Sequence, residues 1–561
     1  MRALALIWLS SLVLGCAGHA ADSDATEPDP KGWTISVDMS RTERFVRPET
    51  SPRWPVAGRA EATERVESIE VAGTPQAIAA DGAFSTEVAV SQGLTSVPVL
   101  VRDSAGHQRK ADRTLLAARF LPDTDHNPSA ASIVLDNAIL ESMSGGIAAQ
   151  AANVDIAGEI LARDYLSNDS QCATWPVSAH QGAVSVKLVQ SSGDLWLHIQ
   201  VPNLYVYFEG ECQGLLRTIP LAGEMRGTLD VWSRLAPKAG AGPCLDSFTH
   251  TTAQVQVLGW GFEVWGTGGP LQNWMIAAFS GDKATEARNQ LTAQVQTRAD
   301  AMLTEKLASI SVFDLASELS LLERPIAMHL CLAGLDKIGT ALVARIGARA
   351  HGNGMRGAPG APQIEGASPV PAAKELVLDA DLVGQLLFAS WRDGGLTRAV
   401  GDADISVLQI LVPQLVDRFP DSSLAQVTID AELPPLVRAT PQGPGDVSVE
   451  LGDLMVDLTV EGKRIFRFGV TLTLQLDLVP VGGKLVPKVI DTSAKAALLD
   501  ELYDGPDAAL EAAVQVQIGN TAAALLGPSA AIALPALPGL GAPINVTADP
   551  GGRFLHVTLS P

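Results

Sequence analysis

The sequence is poor in the features that conduct chemistry. It has no Gly-x-Ser-x-Gly elbow, no His-Glu-x-x-His pair and no Walker-type phosphate loop. The usual means of exposing a nucleophile, holding a catalytic zinc or cradling a triphosphate are therefore missing. The nine histidines are scattered, with no pair at metal-ligand spacing. These absences predict a protein that is not an enzyme and carries neither cofactor nor metal. Positive charge is also short: 40 Lys and Arg stand against 62 Asp and Glu, a net charge of −22. That balance excludes a nucleic-acid partner and gives no electrostatic pull toward anionic lipid heads. Aromatic residues make up 5% of the chain while hydrophobic residues make up 47%, so the cores must be built from Val, Leu, Ile and Ala. Beyond the first residues there is no apolar run of the about 20 residues that a spanning helix needs.

Cysteine is sparse as well. Cys16 stands alone near the start, and Cys172, Cys212, Cys244 and Cys331 share one later stretch. In an exported chain these four are expected to form two disulfides, with three possible pairings. A zinc site is the alternative, but no Cys-x-x-Cys occurs and the spacings are wide. Export itself is read from the start of the chain. Arg2 precedes the apolar run Leu4 to Leu14, which fits a signal peptide and is too short to span a bilayer. The run ends in Val13-Leu14-Gly15-Cys16, which resembles the lipobox of bacterial lipoproteins. That resemblance implies removal of residues 1–15 and acylation of Cys16. Two or three chains at ~0.8 kcal/mol per buried CH₂ make a stable anchor. Ala17 rather than aspartate follows the cysteine, which points to the outer membrane, on its periplasmic or cell-surface face. Residues 16–32 are polar and acidic and read as a tether.

From 33 to 121, short strands alternate with turn signals. Ile69-Glu70-Val71 runs into Gly73, Asp81-Gly82 turns into Ser85 to Val90, and Val97 to Val101 precedes Asp103-Ser104-Ala105-Gly106. This spacing predicts an all-β sandwich. The segment resembles bacterial immunoglobulin-like domains, for which a role as spacer is expected. Leu121 to Ala131 reads as a Pro/Asp/Asn-rich linker. The remainder divides at 352–371, a Gly/Pro-rich flexible crossing, into pieces 130–351 and 372–561.

Both pieces follow the same order of helix, alternating strands and a second long helix. In the first, helical spacing covers Asn137 to Ala162 and about Leu271 to Ala308. Between them Val184, Val186, Leu195, Leu197, Val255 and Val257 alternate with polar residues. In the second, Leu382 to Val400, Val407 to Arg418 and Ala508 to Leu526 read as helices. Leu458 stands on one alternating strand, and Leu472, Leu474 and Leu476 form the apolar face of another. A helix laid on an antiparallel sheet, twice over, is an α+β arrangement. Periodicity alone cannot distinguish a filled core from a long greasy slot.

Residues 372–561 resemble the C-terminal half of the family of bactericidal/permeability-increasing protein, lipopolysaccharide-binding protein and cholesteryl ester transfer protein. The resemblance lies in the order of several stretches. These are Leu382-Val383-Gly384-Gln385-Leu386-Leu387 to Gly394-Gly395-Leu396, then Leu411-Val412-Pro413-Gln414-Leu415 to Arg418-Phe419-Pro420. The strand Val427 to Ala431, the pair Pro434-Pro435, and Leu534-Pro535 to Phe554-Leu555-His556-Val557 follow. Residues 268–308 and 326–349 resemble the family's N-terminal half more loosely. The resemblance implies two tandem barrels of curved antiparallel sheet wrapped on a long helix. It also implies a phospholipid or other acyl-chain lipid as partner, held by Leu386, Leu458, Leu472, Leu474 and Leu476 in one barrel and by the six alternating residues above in the other. One departure stands out: the turn Gln190-Ser191-Ser192-Gly193-Asp194 has none of the basic residues with which endotoxin-binding members grip phosphorylated headgroups. Lipid binding or transfer in the envelope is the function so implied; the alternative is an adhesion or scaffold lipoprotein whose barrels are structural.

Overall fold

The computed structural model describes residues 33–560, except 40–43, 48–52, 143, 145–154, 163, 169–171, 214–217, 241, most of 267–313, 355, 365, 367, 526–529 and 534–540. Cys16 and nearly all of the helix expected over 271–308 lie outside the described residues. The architecture is strand-dominated α+β, and its largest strands belong to curled sheets.

A seven-stranded sheet forms the hub. Asp314–Leu321, Arg324–Ile338, Ala341–His351 and Asn127–Val134 come from the first piece, and Glu375–Asp379, Phe554–Leu559 and Pro543–Ala548 from the second. The two pieces are therefore hydrogen-bonded into one sheet. Part of the expected linker at 121–131 is its central strand, because Ala130, Ala131 and Ile133 present a buried aliphatic face too short to stand out in the sequence. The Gly/Pro-rich crossing is likewise anchored in part: Ala361–Gln363 pairs with Arg119–Leu121.

The helix Ala380–Arg392 lies on this hub, with the Asp379 side chain accepting from the Asp381 N–H at its N-cap. It ends at Asp393, and Gly394 takes a left-handed turn at φ 73°. What the periodicity extends to Val400 as helix is instead the start of the strand Thr397–Asp404. Pro413 likewise splits the second expected helix into Ser406–Leu411 and Gln414–Arg418, since proline has no N–H to continue the ladder.

On one side of the hub the strands Asp194–Gln213, Thr218–Ala239 and Leu245–Gly266 form a long antiparallel sheet, edged by Ser185–Ser191 and Cys172–His180. On the other side Val447–Val460, Lys463–Val481 and Lys484–Glu501 form its counterpart. The helix Asp507–Leu525 lies along that second sheet and buries Leu510, Val514 and Ile518, one residue per turn.

The sandwich at 33–121 has sheets of three and five strands. It is not a detached spacer. Leu499 of the C-terminal sheet belongs to the sandwich core, and Met455 packs against it. Leu433 and Leu436 close a second apolar contact with Leu116, Ala118 and Phe120. Two arginines carry ion pairs across the joint: Arg44 meets Asp453 at 3.0 Å and also Glu432, and Arg109 meets Glu501 at 2.6 Å, both side chains 1% exposed, and Asp507 at 3.9 Å.

Candidate lipid-binding site

The curl of the N-terminal sheet has a local cause. Along Asp194–Gln213 the inward positions are Leu195, Leu197 and Val201, then Leu204, Val206 and Phe208. The parity changes at Pro202-Asn203, where Asn203 takes φ 52° and the register slips. Opposite this point, Leu245–Gly266 shows the same change. Val255 and Val257 face inward, Gly259 takes φ 64°, and Trp260, Phe262 and Val264 then continue the apolar face. Extra residues of this kind bend a strand and increase its twist. Bulges at one level across neighbouring strands thus turn a flat ribbon into a trough.

The trough's inner face is apolar along its length. Val201, Leu204, Val206, Phe208, Met225, Leu229 and Val231 are buried. The rings of Phe208 and Phe262 stack at 5.7 Å, and those of Trp260 and Phe262 at 6.1 Å. Gly259-Trp260-Gly261 thus packs at a bulge. One flank is less covered among the described residues: Val255, Val257, Trp260, Phe262 and Val264 are only partly buried.

The six residues singled out in this half fall into two groups. Val186, Leu195 and Leu197 are buried in the main core, next to the hub. Val255 and Val257 lie farther out, paired with Val231 and Leu229 in the trough. Val184 touches both clusters.

The C-terminal candidates are placed differently. Leu472 and Leu474 have no exposed surface, and Leu386, Leu458 and Leu476 are buried with them in one continuous aliphatic core. Leu472, Leu474 and Leu476 face Leu451, Val449 and Val447 across the ladder. Leu458 pairs with Phe466, eight residues from Leu474, which is about 26 Å along the strand. Leu386 is on the helix that lies across the hub. These five residues line a length of core rather than a single point.

Polar features do not compete for an acyl chain. An open pocket of about 350 Å³ lies on the outer face of the C-terminal sheet, lined by Arg398, Asp430, Asp457 and Arg467 among others. Its charges are already matched: Arg467 grips Asp457 through two bonds of 2.7 and 2.8 Å, that carboxylate raises the arginine's pKa, and Asp430 is paired with Arg356 from outside the pocket. The turn at 190–194 carries Asp194, held by Arg234 at 2.6 Å and Lys337 at 3.2 Å, and these bonds lower the pKa of its carboxyl. Gly352, Gly354 and Gly357 have the spacing of a dinucleotide-binding turn. Among the described residues, however, the chain runs on to the strand Ala361–Gln363 without opening a helix there, so the phosphate-binding helix end is absent.

Of the four cysteines, Cys244 and Cys331 are joined. Cys172 and Cys212 stand directly opposite each other in the ladder, the spacing at which a disulfide forms. His126 and His329, 203 residues apart in the chain, meet at 2.7 Å, and His126 lies beside the Cys244–Cys331 bond.

Among the described residues no helix is long and apolar enough to cross a membrane. No family model and no curated protein matches the chain. Among solved structures, a lipopolysaccharide binding protein aligns with 77% of this chain and 98% of its own, at 13% identity and a TM-score of 0.35. P47 of Clostridium botulinum E1 aligns with 78% of this chain and all of its own, at 8% identity and a TM-score of 0.26.

Proposed function

We propose that the protein binds the acyl chains of lipids in the trough of the N-terminal sheet. The observation that carries this reading is the half-open apolar face formed by Val255, Val257, Trp260, Phe262 and Val264. Aliphatic and aromatic walls hold a chain without directional bonds. A sixteen-carbon chain hides roughly 12 kcal/mol of apolar surface at ~0.8 kcal/mol per CH₂. A bilayer supplies nearly the same, so a trough that matches it exchanges lipid readily. The family resemblance of the sequence points the same way, to tandem tubular halves around long helices. The strongly acidic chain suits contact with lipid tails over charged heads.

Organic extraction of the purified full chain, followed by mass spectrometry, tests this. Acyl lipid is expected in the extract, and Val257→Trp should lower it by filling the trough. Leu474→Trp should instead cost about 1–3 kcal/mol of stability by overpacking a closed core, with lipid retained. An extract free of lipid would favour the scaffold reading, to which the solid C-terminal core lends support.

The reading extends to place. Acylation at Cys16 would hold the protein on the outer membrane, within reach of its ligand. Cys16→Ser should then move it to the soluble fraction, and unchanged membrane fractionation would contradict the anchor.

A further inference from the structure

Four side chains from three separate stretches of sequence meet on the back of the hub sheet. His329 and Cys331 stand two residues apart on Arg324–Ile338, so they project from one face. Met328 and Leu330 occupy the opposite face, in the main core. Gly347 lies across the ladder from Cys331, and a Cβ there would sit 3.3 Å from the sulfur. The glycine keeps this space open. His126, just ahead of the strand Asn127–Val134, brings its Nε2 to 2.7 Å from Nδ1 of His329. Cys244, at the head of Leu245–Gly266, completes the group, its Cα 5.7 Å from that of Cys331.

One ligand atom each from His126, Cys244 and Cys331 lies within 4.8 Å of the other two. The edges of a zinc tetrahedron measure roughly 3.3–3.8 Å, from Zn–N near 2.0 Å and Zn–S near 2.3 Å. These three atoms need only draw closer together, while His329, held at 2.7 Å from His126, has to swing in as the fourth ligand. Two thiolates and two imidazoles are a set that closed structural zinc sites use.

We propose that Cys244 and Cys331 form a redox-gated Zn²⁺ site, completed by His126 and His329. A dithiol reductant passes two electrons and two protons to the S–S bond and itself becomes a disulfide, leaving two thiols. Zn²⁺ displaces both thiol protons to solvent, and the thiolates bind it with the two imidazoles. While the sulfurs are bonded to each other they lack the charge the metal needs, so the oxidised protein does not bind. Either link ties the same two elements, the N-terminal sheet and the hub. Zinc would thus hold the joint in a reducing setting as the disulfide does in an oxidising one. This site is independent of lipid binding.

The test uses the full chain, reduced with a phosphine under inert gas and titrated with Co²⁺ and then Zn²⁺. Reduced wild type should bind one Co²⁺ with the visible bands and sulfur charge transfer of tetrahedral thiolate coordination, lost as Zn²⁺ displaces it. Oxidised wild type and Cys331→Ser should show no such bands. His126→Ala can still form the disulfide and fold, so its loss of binding reports on the site itself. His329→Ala should weaken Zn²⁺ by at least ~10-fold. The proposal is overturned if reduced wild type takes up no metal, or if Cys331→Ser or His126→Ala binds as well as wild type, the metal then sitting on Cys172 and Cys212.

Discussion

Asp381 opens the helix that lies on the hub, and its carboxyl has almost no access to water. Desolvation and the neighbouring charge of Asp379 push its pKa up to about 8. It accepts the N–H of Ile364 at 3.0 Å, and Arg553, which bonds Asp379 at 2.7 Å, stands 3.6 Å away. Unfolded, the same group titrates near 3.9. Between about pH 4 and pH 8 the folded state therefore keeps a proton that the unfolded chain has released, and stability falls as pH rises through that window. Asp381→Asn still accepts from Ile364 but does not titrate. Its melting temperature should match wild type near pH 4.5 and exceed it by pH 8.5. Parallel curves across that range would show that the residue does not ionise as described. None of this is visible in the sequence, where Asp381 reads as an ordinary acid in a first helical turn. Its surroundings come from outside the helix, from Ile364 and from Arg553 near the end of the chain. For the same reason His126 and His329 read as scattered residues, since no local pattern records a contact across the hub.

At the scale of elements, legibility follows the regularity of the backbone. Leu472, Leu474 and Leu476 alternate without interruption and were readable as one face of a strand. Val184 to Val201 was readable for the same reason. Past Asn203 and Gly259 the parity inverts, so simple alternation does not carry the apolar face on into Leu204 to Phe208 and Trp260 to Val264. With Val255 and Val257 they form the proposed site. Alternation therefore reaches the closed stretches of sheet and, through Val255 and Val257, one end of the open flank, but not the part of the trough beyond the bulges. Helices were legible where glycine or proline did not intervene: the last one, expected over 508–526, is Asp507–Leu525. The stretch expected to run on to Val400 stops at the glycine turn.

Across the whole molecule, the sandwich, hub and C-terminal sheet share apolar contacts and buried charge, so the sandwich is better described as a bound face of the C-terminal half. Arg109 and Glu501 form one of the buried ion pairs across that joint, with the Trp33 ring 5.4 Å from the guanidinium. Arg109→Met would leave the Glu501 carboxylate buried without its guanidinium, a loss of about 3–5 kcal/mol in denaturant unfolding. Arg109→Met with Glu501→Leu removes both charges and should recover most of it. Additive losses in the double variant would mean the pair contributes no coupling.

The central claim is that lipid occupies the N-terminal trough. A fatty acid carrying a photoactivatable diazirine in mid-chain, cross-linked to the full protein and located by peptide mass spectrometry, tests it most directly. The account predicts adducts at residues 255–264 and 204–208. Adducts confined to residues 472–476, or no adducts above a denatured control, would contradict it.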